Sequence, residues 1–201
     1  METHTIHSEL LRRRVRVLVV GCGGTGSAIA AGLPYLHHAT LAAGHPGGLH
    51  VTLMDGDTIS PTNCVRQPFG LSETGLHKVV VMVNRLNVFW GLDWNAVPAH
   101  LGPRDKIDRA DIVIGCVDTR AARAVLRDAT AGNSEVDYWL LYKRRRYVYD
   151  TDPRVWGVWL SCIRRIRMRM LEGGSAYKII GGPGSRDALI HSSHGIFQEN
   201  L

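Results

Sequence analysis

Short apolar runs alternate along this chain with stretches of helical spacing. Val15-Arg16-Val17-Leu18-Val19-Val20 is β-branched and mostly apolar and runs into a cluster of glycines, the pattern of a buried parallel strand entering a tight turn. Ala28 to Leu33 then has the spacing of a helix, expected to end near Pro34, and a His- and Gly-rich connection from Tyr35 to Gly48 leads to a second strand over Leu49 to Met54. Asp55 to Phe69, with Pro61, Asn63 and Pro68, reads as loop. Leu76, Val79, Val80, Val83 and Leu86 share one helical face within Gly75 to Phe89. Ala110 to Val117 is a further buried strand, Thr119 to about Thr130 an Ala- and Arg-rich helix, and Val136 to Leu140 the next strand. This alternation predicts an α/β domain with a Rossmann-like, doubly wound, mostly parallel sheet that binds ligands at the carboxyl ends of its strands.

After Leu140 the pattern is lost. Lys143-Arg144-Arg145-Arg146, the Arg-rich run from Arg164 to Arg169, Gly173-Gly174 and Gly181-Gly182-Pro183-Gly184 show neither period, and no sheet-forming continuation is expected there. The division is therefore residues 11–140 as a nucleotide-binding domain and 141–201 as an irregular basic tail. Charge sharpens this boundary. The 201-residue chain has a formal net charge of +6, but residues 1–140 hold thirteen Lys or Arg against thirteen Asp or Glu, and residues 141–201 hold eleven against five. The whole excess lies in the tail, so nucleic acid, if bound at all, is expected there and not on the domain. A shifted reading frame or rearranged gene end would produce such a segment, as would a nucleic-acid-binding appendage; interleaved Gly and Arg without a period seldom pack a core, which favours the first.

The chemistry concentrates at the glycine cluster. Gly21, Gly23, Gly24, Gly26 and Ser27 satisfy a G-x-G-x-x-G pattern between strand and helix, where backbone N–H groups and a helix N-terminus meet phosphate oxygens without Cβ interference. A ligand-free tight turn satisfies the same pattern. Asp55 closes the second strand, where an acidic side chain meets ribose hydroxyls in nucleotide-binding sheets. Asp57 follows in the loop, where a solvated carboxylate is the plain alternative.

The order of motifs adds what no single one supplies. Gly21-Cys22-Gly23-Gly24-Thr25-Gly26-Ser27, then Asp55-Gly56-Asp57-Thr58-Ile59, then Thr62-Asn63-Cys64-Val65-Arg66-Gln67, then Lys78 opening a helix, then a strand running into Asp118 resembles the ThiF/MoeB family of ubiquitin-activating-enzyme-like adenylyltransferases over residues 11 to 140. Leu33 to His37 and His45 to His50 look like the subgroup encoded in plasmid PRTRC clusters. The resemblance implies ATP bound with Asp55 on the ribose, Asn63 and Arg66 on the phosphates, Lys78 on the β- and γ-phosphates, and Asp118 on Mg²⁺. It draws Asp57 and Gln67 into the same site and makes Arg66, Lys78 and Asp118 the catalytic set.

Physical chemistry agrees with those roles. Adenylation needs the triphosphate positioned and its developing charge spread. A guanidinium fork and an ammonium point charge suit phosphate oxygens, and a carboxylate at the sheet's carboxyl edge suits a hard cation. Taken alone, Arg66 reads as a solvated loop residue, Lys78 as a helix-surface lysine and Asp118 as an N-cap.

The expected partner is a small ubiquitin-like protein whose C-terminal carboxylate is activated, and the resemblance also implies a homodimer. Relatives reach the partner's ATP with an arginine near the N-terminus; Arg12, Arg13 and Arg14 lie there, but a basic flank before a strand explains them more simply. Thr119 departs from the family's usual Asn, whereas Arg123 is retained, and Pro68 to His77 is about one residue short.

Four cysteines without a C-x-x-C pair make zinc unexpected and suit reduced thiols in a cytoplasm. Cys22 and Cys116 read as buried fillers and Cys162 lacks a motif for a transfer nucleophile. His191 and His194 have the spacing of metal ligands only if helical. No signal peptide or membrane span is read. Two rival readings remain: an NAD(P)-binding oxidoreductase, which leaves Asn63, Arg66 and Lys78 unexplained and has a glycine-to-acid interval beyond the usual ~20 residues, and a nucleotide-binding scaffold without transfer activity.

Overall fold

The computed structural model describes residues 6–131, 133–142, 188–192 and 195–196. One sheet carries strands β1 (Val15–Val20), β2 (Leu49–Met54), β3 (Asn95–Val97), β4 (Ile112–Gly115), β5 (Tyr138–Tyr142), β6 (Ala188–Ser192) and β7 (Gly195–Ile196) in the order β3-β2-β1-β4-β5-β6-β7. The first five are mutually parallel, with Val17 beside Val51 on one side and Ile112 on the other, and Ile112 beside Tyr138. Strands β6 and β7 continue the sheet in antiparallel pairing, Leu140 facing Ile190.

Helices α1 (Gly24–Ala42), α2 (Lys78–Trp90) and α3 (Arg120–Thr130) cover the two faces. Alternation along β1 divides the core. Val15, Val17 and Val19 join Val51 and Leu53 of β2 in packing against Ile29, Ala30 and Leu33 of α1 and Val79, Met82 and Leu86 of α2. Leu18 and Val20 share the other face with Val113, Val136 and Leu126 of α3. The sheet is thus doubly wound, and strand order reverses between β1 and β4, which makes a crevice at their carboxyl ends. Among the described residues no helix is long and apolar enough to cross a membrane.

Four expectations about the fold need correction. The first helix runs through Pro34 to Ala42, because the positions after the proline keep their packing. Pro34 and His37 are buried, and Tyr35 and His38 pack on Trp90, ring centroids 4.8 and 5.4 Å apart. The His37 ring takes its place in the core by lying 3.0 Å from the Leu49 backbone N–H, and burial lowers its pKa, which keeps it neutral.

Second, strand β3, only three residues long, was not expected; its backbone completes β2, with Met54 beside Val97. Third, the sheet does continue beyond residue 140, in β6 and β7, and His191 stands in strand β6, without the helical spacing a ligand pair would use. Fourth, the last expected parallel strand lies two residues later than read, at Tyr138–Tyr142. His194, Cys162 and the Arg-rich run 164–169 lie outside the described residues.

Candidate functional site

The glycine turn forms between the carboxyl ends of β1, β2 and β4. Gly21 has φ +98°, and its N–H donates to Met54 O at 2.8 Å, while the Cys116 N–H donates to Val20 O at 2.7 Å. A Cβ on Gly21 would come 3.0 Å from the Cys116 carbonyl, and a Cβ on Gly26 would lie 1.8 Å from Gly21 O, so helix and turn can approach only as glycines. Gly23 caps α1, and nothing among the described residues lies within 4 Å of the place where its Cβ would be, so the turn's backbone faces a free space there that a ligand could enter. Ser27 is fully buried and its hydroxyl donates back to Gly23 O at 2.7 Å; it holds the turn from inside. Burial pushes the thiols of Cys22 and Cys116 up to about 12, and both stay protonated fillers.

Asp55, buried at the end of β2, ties the turn to the neighbouring strand. Its Oδ2 accepts the Cys22 N–H at 2.5 Å and its Oδ1 the Asp57 N–H at 2.8 Å. Each oxygen keeps a lone pair for a further donor. Asp57 in turn engages Lys78, the first residue of α2. Its backbone O accepts the Lys78 N–H at 3.1 Å, and its carboxylate takes the ammonium at 2.8 Å. Lys78 is thus a buried lysine, its side chain 6% exposed, while the Asp57 side chain stays 54% exposed. The reading of Lys78 as a solvated helix lysine is overturned by this contact, and Asp57 is more than a solvated loop acid.

The turns from Pro61 to Arg66 pass over the glycine turn, bringing Arg66 O to 3.8 Å from the place a Gly24 Cβ would take. Asn63 is buried, and its side-chain oxygen accepts the Ser60 N–H at 3.0 Å; its backbone O accepts the N–H groups of Arg66 and Gln67. Asn63 therefore shapes the loop that presents Arg66. Gln67 is also buried, and its Oε1 lacks a hydrogen-bond partner among the described residues.

Arg66 is exposed, and its guanidinium makes no hydrogen bond or ion pair among the described residues. Asp118, exposed two residues beyond Cys116, likewise has none, so its oxygens are available to a hard cation. It does not cap α3: Thr119 does, its hydroxyl accepting the Ala122 N–H at 3.1 Å, which answers the alternative reading of Asp118. The structure thus brings Gly21, Gly23, Gly24, Asp55, Asp57, Arg66 and Lys78 around one turn and puts Asp118 on the strand end beside it.

Sequence reasoning missed His100. Its Nε2 stands 3.7 Å from Asp57 Oδ1, and single ligand atoms of Asp55, Asp57 and His100 all lie within 4.8 Å of one another. No local motif marks it, because it reaches the site through the pairing of β3 with β2.

At the opposite, amino edge Arg13, Arg14, Arg16 and His50 line an open cleft. Arg13 donates to both oxygens of buried Asp111, at 2.8 and 2.9 Å, and Arg16 adds its NH2 at 2.6 Å and its backbone N–H at 2.8 Å. Burial raises the Asp111 carboxyl, but these hydrogen bonds more than offset it and hold the group below its ordinary range. Arg14 grips Asp93 with both terminal nitrogens and holds that carboxyl at about 2.

A protein-family model described as the ThiF family matches residues 8–136. The fold is similar to E. coli tRNA N6-threonylcarbamoyladenosine dehydratase, TcdA: 24% identity, TM-score 0.55, covering 70% of this chain and 55% of that one. The same enzyme in complex with AMP aligns at 25% identity and TM-score 0.54, over 70% of this chain and 54% of that one. Its complex with ATP aligns at 24% and 0.55, over 73% and 56%. The chain thus spans little more than half the length of these solved structures. A comparison with curated proteins gives no match.

Proposed function

The chain belongs to the ThiF family, and on that premise we propose that it binds ATP at the carboxyl edge of its sheet and adenylates a carboxylate. The observation that carries this reading is the company Lys78 keeps: a buried ammonium held by Asp57 at 2.8 Å beside an open glycine turn, with an unpaired guanidinium on the loop above. An NAD site does not require that cation pair. The AMP and ATP complexes of the similar dehydratase lend weight to a nucleotide in this place.

In the proposed reaction a carboxylate oxygen attacks the α-phosphorus, and the bond to the bridging oxygen of the β-phosphate breaks as pyrophosphate leaves. The turn's N–H groups and the N-terminus of α1 face the phosphates. Asp55 accepts from the ribose. Lys78 leaves Asp57 for the β- and γ-phosphates, and Arg66 lays its fork on the departing charge. Asp118 is the residue that would hold Mg²⁺, which when bound neutralises phosphate charge. Cys22 and Cys116 pack behind the turn.

The acceptor in this reading is the C-terminal carboxylate of a small ubiquitin-like protein, supported by the motif order through Gln67 and by the PRTRC-like wording around Pro34 and His45. A homodimer and a cytoplasmic setting belong to the same reading. Nucleic acid, if bound at all, falls in this reading to the basic segment 141–201, and replacing Arg164, Arg165, Arg167 and Arg169 by serine is expected to weaken heparin retention.

Calorimetry of the chain with ATP·Mg²⁺ and with NAD, followed by ATP–pyrophosphate exchange with candidate acceptors, tests the proposal. ATP binding with acceptor-dependent exchange is the expected result. NAD binding without ATP binding would overturn it.

A further inference from the structure

His100 is delivered to the site by backbone geometry. The Asp55 N–H donates to Val97 O at 3.2 Å, and the Ala99 N–H donates to the same oxygen at 2.9 Å, so the chain turns back directly after β3. Pro98 has no N–H to extend the ladder. The imidazole then lies against Gly56: a Cβ there would come 2.5 Å from His100 Cδ2 and 2.6 Å from Nε2. One side of the ring rests on the backbone between Asp55 and Asp57, yet the side chain is 71% exposed. It is a ring with a fixed seat and an open outer side, at the place where the nucleotide's ribose meets Asp55.

The polar complement of this corner suits a hydroxyl better than a cation. Asp55 already accepts two backbone N–H groups, so its charge is largely compensated whether or not Lys78 stays on Asp57. In the nucleotide-free chain a divalent ion on Asp57 would compete with the Lys78 ammonium, which lies 2.8 Å from Asp57 Oδ2. A ribose hydroxyl instead needs one acceptor for its proton and one donor for its oxygen. Carboxylates only accept. The imidazole nitrogen within 4.8 Å of both of them supplies the missing donor.

We propose that His100 is a specificity-determining residue of the nucleotide site, its imidazole donating to the ribose 2′-hydroxyl that Asp55 accepts from, so that the protein separates ribonucleotides from deoxyribonucleotides. This rests on the ATP reading above.

The test is calorimetric titration of the full chain with ATP and with dATP. The wild type is expected to prefer ATP about tenfold, the scale of one well-placed hydrogen bond. His100→Ala should weaken ATP severalfold, leave dATP unchanged and bring the preference close to that of Asp55 alone. Gly56→Ala, which unseats the ring without removing it, should lower the ATP-to-dATP preference in the same direction, and His100→Asn, which keeps a donor, should restore part of it. Equal weakening of both nucleotides in His100→Ala, or an unchanged preference, would overturn the assignment of His100 while leaving ATP binding intact. A wild type that binds neither nucleotide would overturn the ATP reading and this inference with it.

Discussion

At the amino edge of the sheet Arg13, Arg14 and Arg16 are each matched to a carboxylate, whereas at the carboxyl edge Arg66 and Asp118 face outward with no partner among the described residues. Both edges are rich in charge. What differs is saturation. Asp111 is 1% exposed and spends both oxygens on two guanidiniums, those of Arg13 and Arg16, and a backbone N–H, so it serves the fold. The carboxyl edge instead holds compensated anions, Asp55 and Asp57, next to uncompensated groups, which leaves it ready for a charged ligand. A motif-rich turn alone would not separate these cases; the ion-pair partners do. They also explain why the basic flank at Arg12 to Arg14 calls for no catalytic role.

The largest expected effect comes from breaking the turn that organises the open edge. Gly26→Ala places a Cβ where Gly21 O now stands, 1.8 Å away, so the turn must move. Overpacking of this kind costs about 1–3 kcal/mol, and the shift misaims the N–H groups of the turn. ATP binding by calorimetry should fall below detection while circular dichroism still reports a folded chain. Retained micromolar-scale binding in that variant would show that the turn does not carry the nucleotide.

The closed edge should respond in the opposite manner. Asp111→Asn leaves Arg13 and Arg16 facing a neutral amide, and stability should drop by about 3 kcal/mol, the low end for a broken buried pair because both guanidiniums stay partly in water. Urea unfolding reads this directly. In the folded protein ATP affinity should stay within twofold of wild type. A stable variant, or one that loses ATP selectively, would dissolve the distinction between the edges.

How much of this was legible in the chain follows from distance along it. The glycine turn, Asp55, the loop through Arg66, and Lys78 at the head of α2 are each local patterns. Their positions on strand end, turn, loop and helix start are legible because strand, turn and helix are set by neighbours a few residues apart. Lys78 as a buried, paired group was not legible, since its partner Asp57 lies 21 residues away across a β-bridge between Thr58 and His77. The arginines of the amino edge were seen only as a basic flank for the same reason: Asp111 lies 98 residues from Arg13, and Asp93 lies 79 from Arg14. Pro34 misled because helix α1 survives its missing N–H through packing of His37 and Tyr35, and polar or half-exposed residues weaken the apolar period. Strands β3 and β6 depend on pairing with β2 and β5, and a three-residue or Arg-flanked strand has little pattern of its own.

A smaller effect sharpens the open edge. Arg66→Ala removes an unpaired guanidinium and should leave stability unchanged. Losing a charge-assisted hydrogen bond to phosphate is worth ~1.5–3 kcal/mol, roughly ten- to hundredfold in ATP affinity. Lys106→Ala, exposed on the loop before β4, is the control and should change neither quantity. If the two variants bind ATP alike, Arg66 is an ordinary surface residue and the open edge is less specialised than its geometry implies.

The smallest expected effect is a pH signature of the closed edge. Arg14 holds the Asp93 carboxyl at about 2, below its ordinary value near 3.8. A carboxyl with a depressed folded-state pKa binds fewer protons folded than unfolded, so its stabilisation is fully present above the unfolded value and is lost as pH falls through the folded one. The window is therefore roughly pH 4 down to pH 2. Asp111 titrates in the same direction, its burial opposed by Arg13 and Arg16. In Asp93→Asn the pH dependence of urea stability should be shallower across that window and unchanged between pH 6 and 8, and because the Asp93 side chain is 66% exposed, added salt should shrink the difference. An Asp93→Asn curve parallel to wild type from pH 4 to 2 would mean that the Arg14 pair contributes nothing in solution, and that the saturation of the amino edge rests on Asp111 alone.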